Sequence, residues 1–199
     1  MKKFKLLKIL LIIFLFVVAL LLGLSLNKGS RSPESSSADN FGLDQPKSEQ
    51  CQINIEEKIV RGGSLAPLIK NGQTIKFFAN YYDCHEVQRG DVVLYSYVGN
   101  KVPLIKIIRG VPGDNFSLKQ TEQGAWHILI NNEILKNSED KPYSISGKRY
   151  QMLALYEKDY KGKIPVDTYL LLGNIPSGTM DSTRFGLAGR EGIVGKAEY

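Results

Sequence analysis

Residues 102–108, Val-Pro-Leu-Ile-Lys-Ile-Ile, set a lysine in the middle of a run of branched apolar side chains. Side chains alternate between the two faces of a strand, so Leu104, Lys106 and Ile108 share one face and Ile105 and Ile107 the other. Both faces are apolar, so Lys106 enters the domain interior or a greasy cleft. A protonated amine there loses its hydration, and its pKa is expected to fall well below ~10.4. Neutral at neutral pH, such an amine is a general base. The alternative is an edge strand whose lysine lays its stem on apolar surface and reaches water with its head.

Runs of the same kind recur at 53–60, 73–80, 91–97, 126–130, 167–173 and 192–197. Turn formers separate them, as in Gln88-Arg89-Gly90-Asp91, Val98-Gly99-Asn100 and Pro112-Gly113-Asp114. The fold class is therefore mostly β. Residues 128–135 read as a hairpin turning at Asn131-Asn132, and 145–160 have room for one short helix. These elements place a single folded domain at 51–199.

The chain before it is different. Residues 9–26 are uncharged and almost wholly apolar, and as a helix they would span roughly 27 Å, close to the ~30 Å hydrocarbon core of a bilayer. Four lysines precede this segment, which places the N-terminus in the cytoplasm and the folded domain outside. Residues 1–27 thus read as basic tip and transmembrane anchor. A cleavable leader is the alternative, with small residues at Gly23-Leu24-Ser25, but the apolar core exceeds the ~7 to 15 residues of such leaders. Residues 28–50, rich in Ser, Pro and charge, read as a flexible tether.

The net charge of +6 belongs to this N-terminal part. Residues 1–31 hold Lys2, Lys3, Lys5, Lys8, Lys28 and Arg31 and no acid, and the remainder carries 20 basic and 20 acidic residues. The domain is electrically balanced, so no nucleic-acid groove is expected. Cys51 and Cys84 lie on the outward side, where disulfides persist. If residues 62–72 reverse the chain between two antiparallel strands, both cysteines reach the same end and a Cys51–Cys84 disulfide is expected; two unpaired thiols are the alternative. No spacing suggests a metal site. Phe77 and Phe78 are adjacent on a strand and point to opposite faces, so the outward ring is a candidate for contact with membrane lipid.

A second unusual stretch is Arg61-Gly62-Gly63-Ser64-Leu65-Ala66-Pro67. Its paired glycines allow a tight turn that presents a hydroxyl, and the proline stiffens the exit. The two histidines, His85 and His127, stand in no recognisable catalytic sequence. If Ser64 is a nucleophile, a Ser64/Lys106 dyad is the economical arrangement. Without a base, the same stretch is an ordinary loop on a membrane-tethered binding module.

These residues resemble the bacterial signal peptidase I family, membrane-anchored serine-lysine endopeptidases that remove signal peptides from exported proteins. The family's Gly-x-Ser-Met-x-Pro motif is similar to Gly62-Gly63-Ser64-Leu65-Ala66-Pro67. Its Arg-Gly-Asp-Ile/Val-Val box resembles Arg89-Gly90-Asp91-Val92-Val93. Its lysine box is matched by Lys106-Ile107-Ile108-Arg109-Gly110-Val111-Pro112-Gly113-Asp114, and its last box resembles Met180-Asp181-Ser182-Thr183-Arg184-Phe185-Gly186.

The resemblance implies the signal-peptidase/LexA-like β fold, with Ser64 as nucleophile and Lys106 as general base. It implies Thr179 as a hydroxyl bonded to the lysine amine, Asp181 with Arg184 as a supporting ion pair, and the Ser64 backbone N–H as an oxyanion donor. It also implies action at the outer face of the cytoplasmic membrane, signal peptides of preproteins as substrates, small residues at the first and third positions before the cut, and no cofactor. Leu65 replaces the usual methionine, Gly62 stands where some members place a second oxyanion serine, and Thr183 shifts Arg184 by one place. Gly173-Asn174-Ile175-Pro176 in place of Gly-Asp-Asn, with the compact 115–165 region, is similar to the branch that matures pilin precursors in conjugative transfer.

Overall fold

Strand β4 (Leu104–Gly110), which carries Lys106, lies between β3 (Val92–Tyr95) and β9 (Thr168–Leu172), so the lysine is on an inner strand and the edge-strand alternative does not apply. The computed structural model describes residues 52–98 and 100–199. The other strands of this sheet are β1 (Asn54–Ile59), β2 (Thr74–Ala79), β10 (Ala188–Gly189) and β11 (Ile193–Glu198), giving the order β1-β2-β11-β3-β4-β9-β10 with antiparallel pairs throughout. A second sheet holds β5 (Phe116–Gln120), β6 (Trp126–Ile130) and β7 (Glu133–Ile134) in that order, with β8 (Ser144–Ile145) paired to β6. Helix α1 spans Gly147–Asp159 and the four-residue α2 spans Ser182–Phe185. Short 3-10 turns lie at Tyr81–Asp83 and Arg190–Gly192.

The period-two reading of residues 104–108 is visible in the packing. Ile107 joins Val60, Leu65, Ile69, Ile75 and Phe77 in one buried cluster. Its neighbour Ile108 joins Val93, Leu171 and Ile193 in another. Strand β9 works the same way, with Leu171 in this second cluster and Leu170 and Leu172 in a third that includes Ile128, Ile130, Tyr143 and Leu153. That third cluster joins the smaller sheet to the larger one.

Strand β6 falls at the expected residues, and the hairpin turn is as read. Leu129 pairs with Ile134 and Ile130 with Glu133, while Asn131 and Asn132 take φ of 51° and 68°, the left-handed values that a two-residue turn demands. The one expected helix is α1. It follows Ser146 and is built from good helix formers. It buries Leu153 completely, stacks Tyr150 on Trp126 at 4.2 Å, and stops where Lys161 and Gly162 turn left-handed.

Two of the motifs quoted above act as structural locks. Asp114 accepts from Arg89 at 2.5 Å, from the Val111 N–H at 2.9 Å and from Asn131 Nδ2 at 2.9 Å, tying three turns together. Asp91 accepts from the Tyr82 hydroxyl at 3.0 Å and pairs with Lys196 at 3.1 Å.

The expected anchor at 1–27 and tether at 28–50 lie outside the described residues, as does Cys51. Among the described residues no helix is long and apolar enough to cross a membrane. Antiparallel β1 and β2, with Asn54 opposite Ala79, supply the reversal that a Cys51–Cys84 pairing requires, and Cys84 closes the first 3-10 turn. Phe77 is buried. Phe78, on the other face, is half-buried with its ring edge-on to Tyr81.

Candidate active site

The Gly-Gly-Ser stretch is a turn pinned from three sides. Gly62 sits at φ 91°, where any Cβ is strained, and its N–H donates to Asn71 Oδ1 at 2.9 Å. The Ala66 N–H returns to the Gly63 carbonyl at 3.1 Å, and Leu65 and Ile69 plug the turn into the core. From the loop after β9, the Asn174 N–H donates to the Ser64 carbonyl at 2.7 Å and its Nδ2 to the Ala66 carbonyl at 3.2 Å.

The approach of the two loops leaves no room for a side chain at Gly173. A Cβ there would lie 2.7 Å from the Ser64 carbonyl oxygen and tighter still against Thr179 Oγ1. Gly173→Ala is expected to push the Ser64 turn off its position and lower kcat by about tenfold or more, since small displacements of reacting groups are costly. Retention of wild-type kcat, measured with the same preprotein, would show that the close approach does not matter.

Lys106 reaches this turn from β4. Its Nζ donates to Ser64 Oγ at 2.9 Å and to the Ile105 carbonyl at 2.7 Å, and Ser64 Oγ lies 3.3 Å from that carbonyl. Only 2% of Lys106 is exposed. Burial pulls its pKa from 10.5 down to about 8, with the charge of Asp181 opposing the fall. A fraction of the amine is therefore neutral near neutral pH, and in that form it is within 2.9 Å of the hydroxyl whose proton it would accept.

Asp181 is itself completely buried and saturated with donors. Oδ1 accepts from the Thr183 hydroxyl at 2.6 Å and its N–H at 3.0 Å; Oδ2 accepts from the Thr179 hydroxyl at 2.7 Å, the Thr179 N–H at 2.9 Å and the Gly173 N–H at 3.1 Å. Burial alone would raise this carboxyl, but the hydroxyls of Thr183 and Thr179 with the Gly173 and Thr179 N–H groups outweigh it and hold the pKa below the usual value. The carboxylate stays ionised and fixes the loop that carries Gly173 and Asn174.

Two sequence expectations change here. Thr179 donates its hydroxyl proton to Asp181, and the recorded bonds of the lysine amine go to Ser64 and Ile105. Arg184 is exposed on α2 and does not pair with Asp181. The guanidinium beside Asp181 is that of Arg149 from α1, with Nη1 3.9 Å from Oδ1, 2.7 Å from the Thr179 carbonyl and bonded to Thr183 Oγ1. The reason is local: Asp181 caps α2 through the Thr183 N–H, Thr183 turns inward to the carboxylate, and the next residue is rotated out to solvent.

Arg149, Tyr143 and Asn174 carry the site without having been read as site residues. Tyr143 is fully buried and donates its hydroxyl to the Gly173 carbonyl at 2.5 Å. The histidines stay away, with His85 stacked on Tyr81 and His127 Nδ1 at the Tyr143 carbonyl.

A cavity of about 450 Å³ opens over the dyad, lined by Gly62, Gly63, Ser64, Lys106 and, at one end, Met180. Through Arg61, Val102, Pro103 and Ile105 it continues into an apolar groove of about 520 Å³ floored by Val60, Ile75, Phe77 and Leu94. The arrangement presents a hydroxyl paired to a low-pKa amine at the bottom of a trough open to an extended chain. Among the described residues, the Ser64 N–H donates to no protein acceptor.

A family model described as "Signal peptidase, peptidase S26" matches residues 51–199. The chain is 24% identical over 144 residues to a signal peptidase I of Bacillus caldolyticus, covering 71% of this chain and 76% of that protein. It is 27% identical over 150 residues to the signal peptidase I P of Bacillus subtilis subsp. natto, covering 72% and 75%. A crystal structure of a signal peptidase I from Enterococcus faecalis V583 aligns at 20% identity with a TM-score of 0.39, covering 56% of this chain and 97% of that one.

Proposed function

The chain belongs to the signal peptidase S26 family, and on that premise we propose that it is a membrane-anchored serine endopeptidase that removes signal peptides from exported preproteins. The observation that carries this reading is the 2.9 Å contact between Ser64 Oγ and the buried Lys106 Nζ. In the proposed sequence, neutral Lys106 takes the hydroxyl proton as Ser64 Oγ attacks the scissile carbonyl. The oxyanion forms at the Ser64 N–H, where charge develops only in the transition state. The protonated Lys106 then gives its proton to the leaving amine, an acyl-enzyme remains on Ser64, and Lys106 activates the water that hydrolyses it.

Residues 9–26 anchor the chain in the cytoplasmic membrane with the catalytic domain outside, and the Cys51–Cys84 pairing belongs to the same proposal. The groove beside the dyad is lined largely by apolar side chains, in keeping with apolar residues before the cut.

The test uses the full-length protein in detergent with a purified preprotein. Cleavage should release the mature protein, and a serine-directed acylating probe should block it by adding its mass to the peptide that holds Ser64. Below a midpoint at about pH 8, kcat/KM should rise about tenfold per pH unit as Lys106 loses its proton. Labelling at another residue, or a profile flat through pH 6–9, would remove the dyad.

A further inference from the structure

The Ser64 cavity ends at Met180, and Met180 also lines a separate cavity of about 630 Å³ on its far side. The charged residues of this second cavity are all cationic, Lys148 and Arg149 from the start of α1 and Arg184 from α2, and they stand beside the hydroxyl residues Ser144, Ser146 and Ser177 and the apolar Tyr97 and Met152. Among the described residues no carboxylate lines it. Among the described residues Lys148 and Arg184 form no ion pair, and the one buried acid behind the wall, Asp181, is already saturated by five donors and Arg149. Burial lowers the Arg149 pKa, the Asp181 charge opposes that fall, and the Arg184 charge adds to it. The cavity thus carries positive charge that the protein itself leaves without an acidic partner.

Its position assigns the direction. The cavity over Ser64 shares Arg61, Val102, Pro103 and Ile105 with the apolar groove of Val60, Ile75 and Phe77, and shares Met180 with the cationic cavity. A chain whose small apolar residues before the cut occupy the groove crosses Ser64 and meets the cations with the residues that follow. Among the described residues Met180 is the one large exposed apolar side chain that lines this cavity; Ile55, Ile59, Val98, Val102 and Val194 lie outside it, so the cavity is not continuous with a greasy patch suited to lipid.

We propose that the cavity between α1 and α2 is a subsite for an acidic side chain of the polypeptide substrate, located after the scissile bond and read by Lys148 and Arg184. This rests on the peptidase reading above and adds to it a substrate class: preproteins with Asp or Glu early in the mature part. No covalent step is involved. The ion pairs form at a partly open wall, so they discriminate modestly and weaken with salt.

The test compares peptides that span the cut and differ by Glu or Gln at each of the first several positions after it, using the full-length protein in detergent. At one or more of these positions wild type should favour Glu by about fivefold in kcat/KM, and the preference should shrink in high salt. In Lys148→Gln/Arg184→Gln the ratio should fall to about one, and Arg184→Glu should favour Lys over Glu. Each ratio is taken within one preparation, so partial misfolding of a variant cancels. Equal cleavage of Glu and Gln peptides by wild type at every position overturns the subsite and leaves the peptidase intact. Cleavage of neither overturns the peptidase reading and the subsite with it. A ratio of one accompanied by variant-sensitive binding to phosphatidylglycerol vesicles also overturns it, since the cavity would then serve lipid.

Discussion

Lys106→Met is expected to lower kcat by at least about a thousandfold and, at pH 7, to make the folded domain more stable. The loss of activity follows from removing the amine that, alone among the described residues, is within hydrogen-bond reach of Ser64 Oγ, since general-base catalysis contributes roughly 10² to 10⁴ and members of a dyad fail together. The gain in stability follows from the same lysine. A pKa of about 8 in the folded state against 10.5 in the unfolded chain means that the folded site disfavours the charged amine by about 3 kcal/mol. Lys106 is 2% exposed, so solvent does little to soften that penalty.

The folded pKa lies below the unfolded one, so between pH 8 and 10.5 the unfolded chain holds the proton that the native state has released. The lysine's contribution to stability is full above 10.5 and is lost as the pH falls through about 8. Methionine has a similar length and no charge, so it avoids the penalty at every pH. Urea titrations followed through Trp126, the single tryptophan, should show the variant ahead of wild type at pH 7 and the gap closing towards pH 10. A variant that still cleaves, or one less stable than wild type at pH 7, would contradict the assignment of Lys106 as a strained base.

That lysine was legible in the sequence because it is an energetic anomaly: a charged side chain with apolar neighbours on both strand faces needs a function or an escape route. The long strands were legible for a related reason, since branched residues recur there between strong turn formers. Strand β5 was not, because only Phe116 and Leu118 of Phe116–Gln120 are apolar and the strand ends in Lys119 and Gln120. The surroundings of Asp181 were legible as residue types and misread as contacts. Which of Thr183 and Arg184 faces the carboxylate depends on the rotation of a four-residue helix, which has no periodicity to read. Arg149 was out of reach for another reason: its role comes from packing α1 against α2, and a helical arginine gives no local sign of the loop it will meet. The boxes around Asp91 and Asp114 are recognisable strings, yet their work here is to lock turns, so recognition of a motif did not by itself separate chemistry from scaffold.

Asp181→Asn should destabilise the domain by about 3 kcal/mol and move the pH–rate limb of the dyad to lower pH. The carboxylate is fully buried and takes five hydrogen bonds, two on Oδ1 and three on Oδ2. An amide keeps only one oxygen. If its NH₂ replaces Oδ1, the Thr183 N–H at the start of α2 faces another donor and is orphaned, at about 1 to 3 kcal/mol; if it replaces Oδ2, the N–H groups of Gly173 and Thr179 are both orphaned. The Arg149 guanidinium also loses the negative charge beside it, which adds to the cost.

Wild-type Asp181 has a lowered pKa, so its contribution to stability is present at neutral pH and is lost as acid titrates the carboxylate below the usual range. The asparagine variant lacks that contribution throughout. The kinetic sign comes from Lys106. The Asp181 charge holds the lysine pKa up against burial, so its removal lets the amine deprotonate at lower pH. The limb centred at about 8 in wild type should therefore shift acidwards even as kcat falls with the loosened Gly173–Asn174 loop. Measuring kcat/KM from pH 5.5 to 9.5 separates the two effects, because a purely structural lesion scales the whole profile without displacing it. An undisplaced limb in a folded Asp181→Asn protein would mean that the carboxylate supports the loop and has no electrostatic hold on the base.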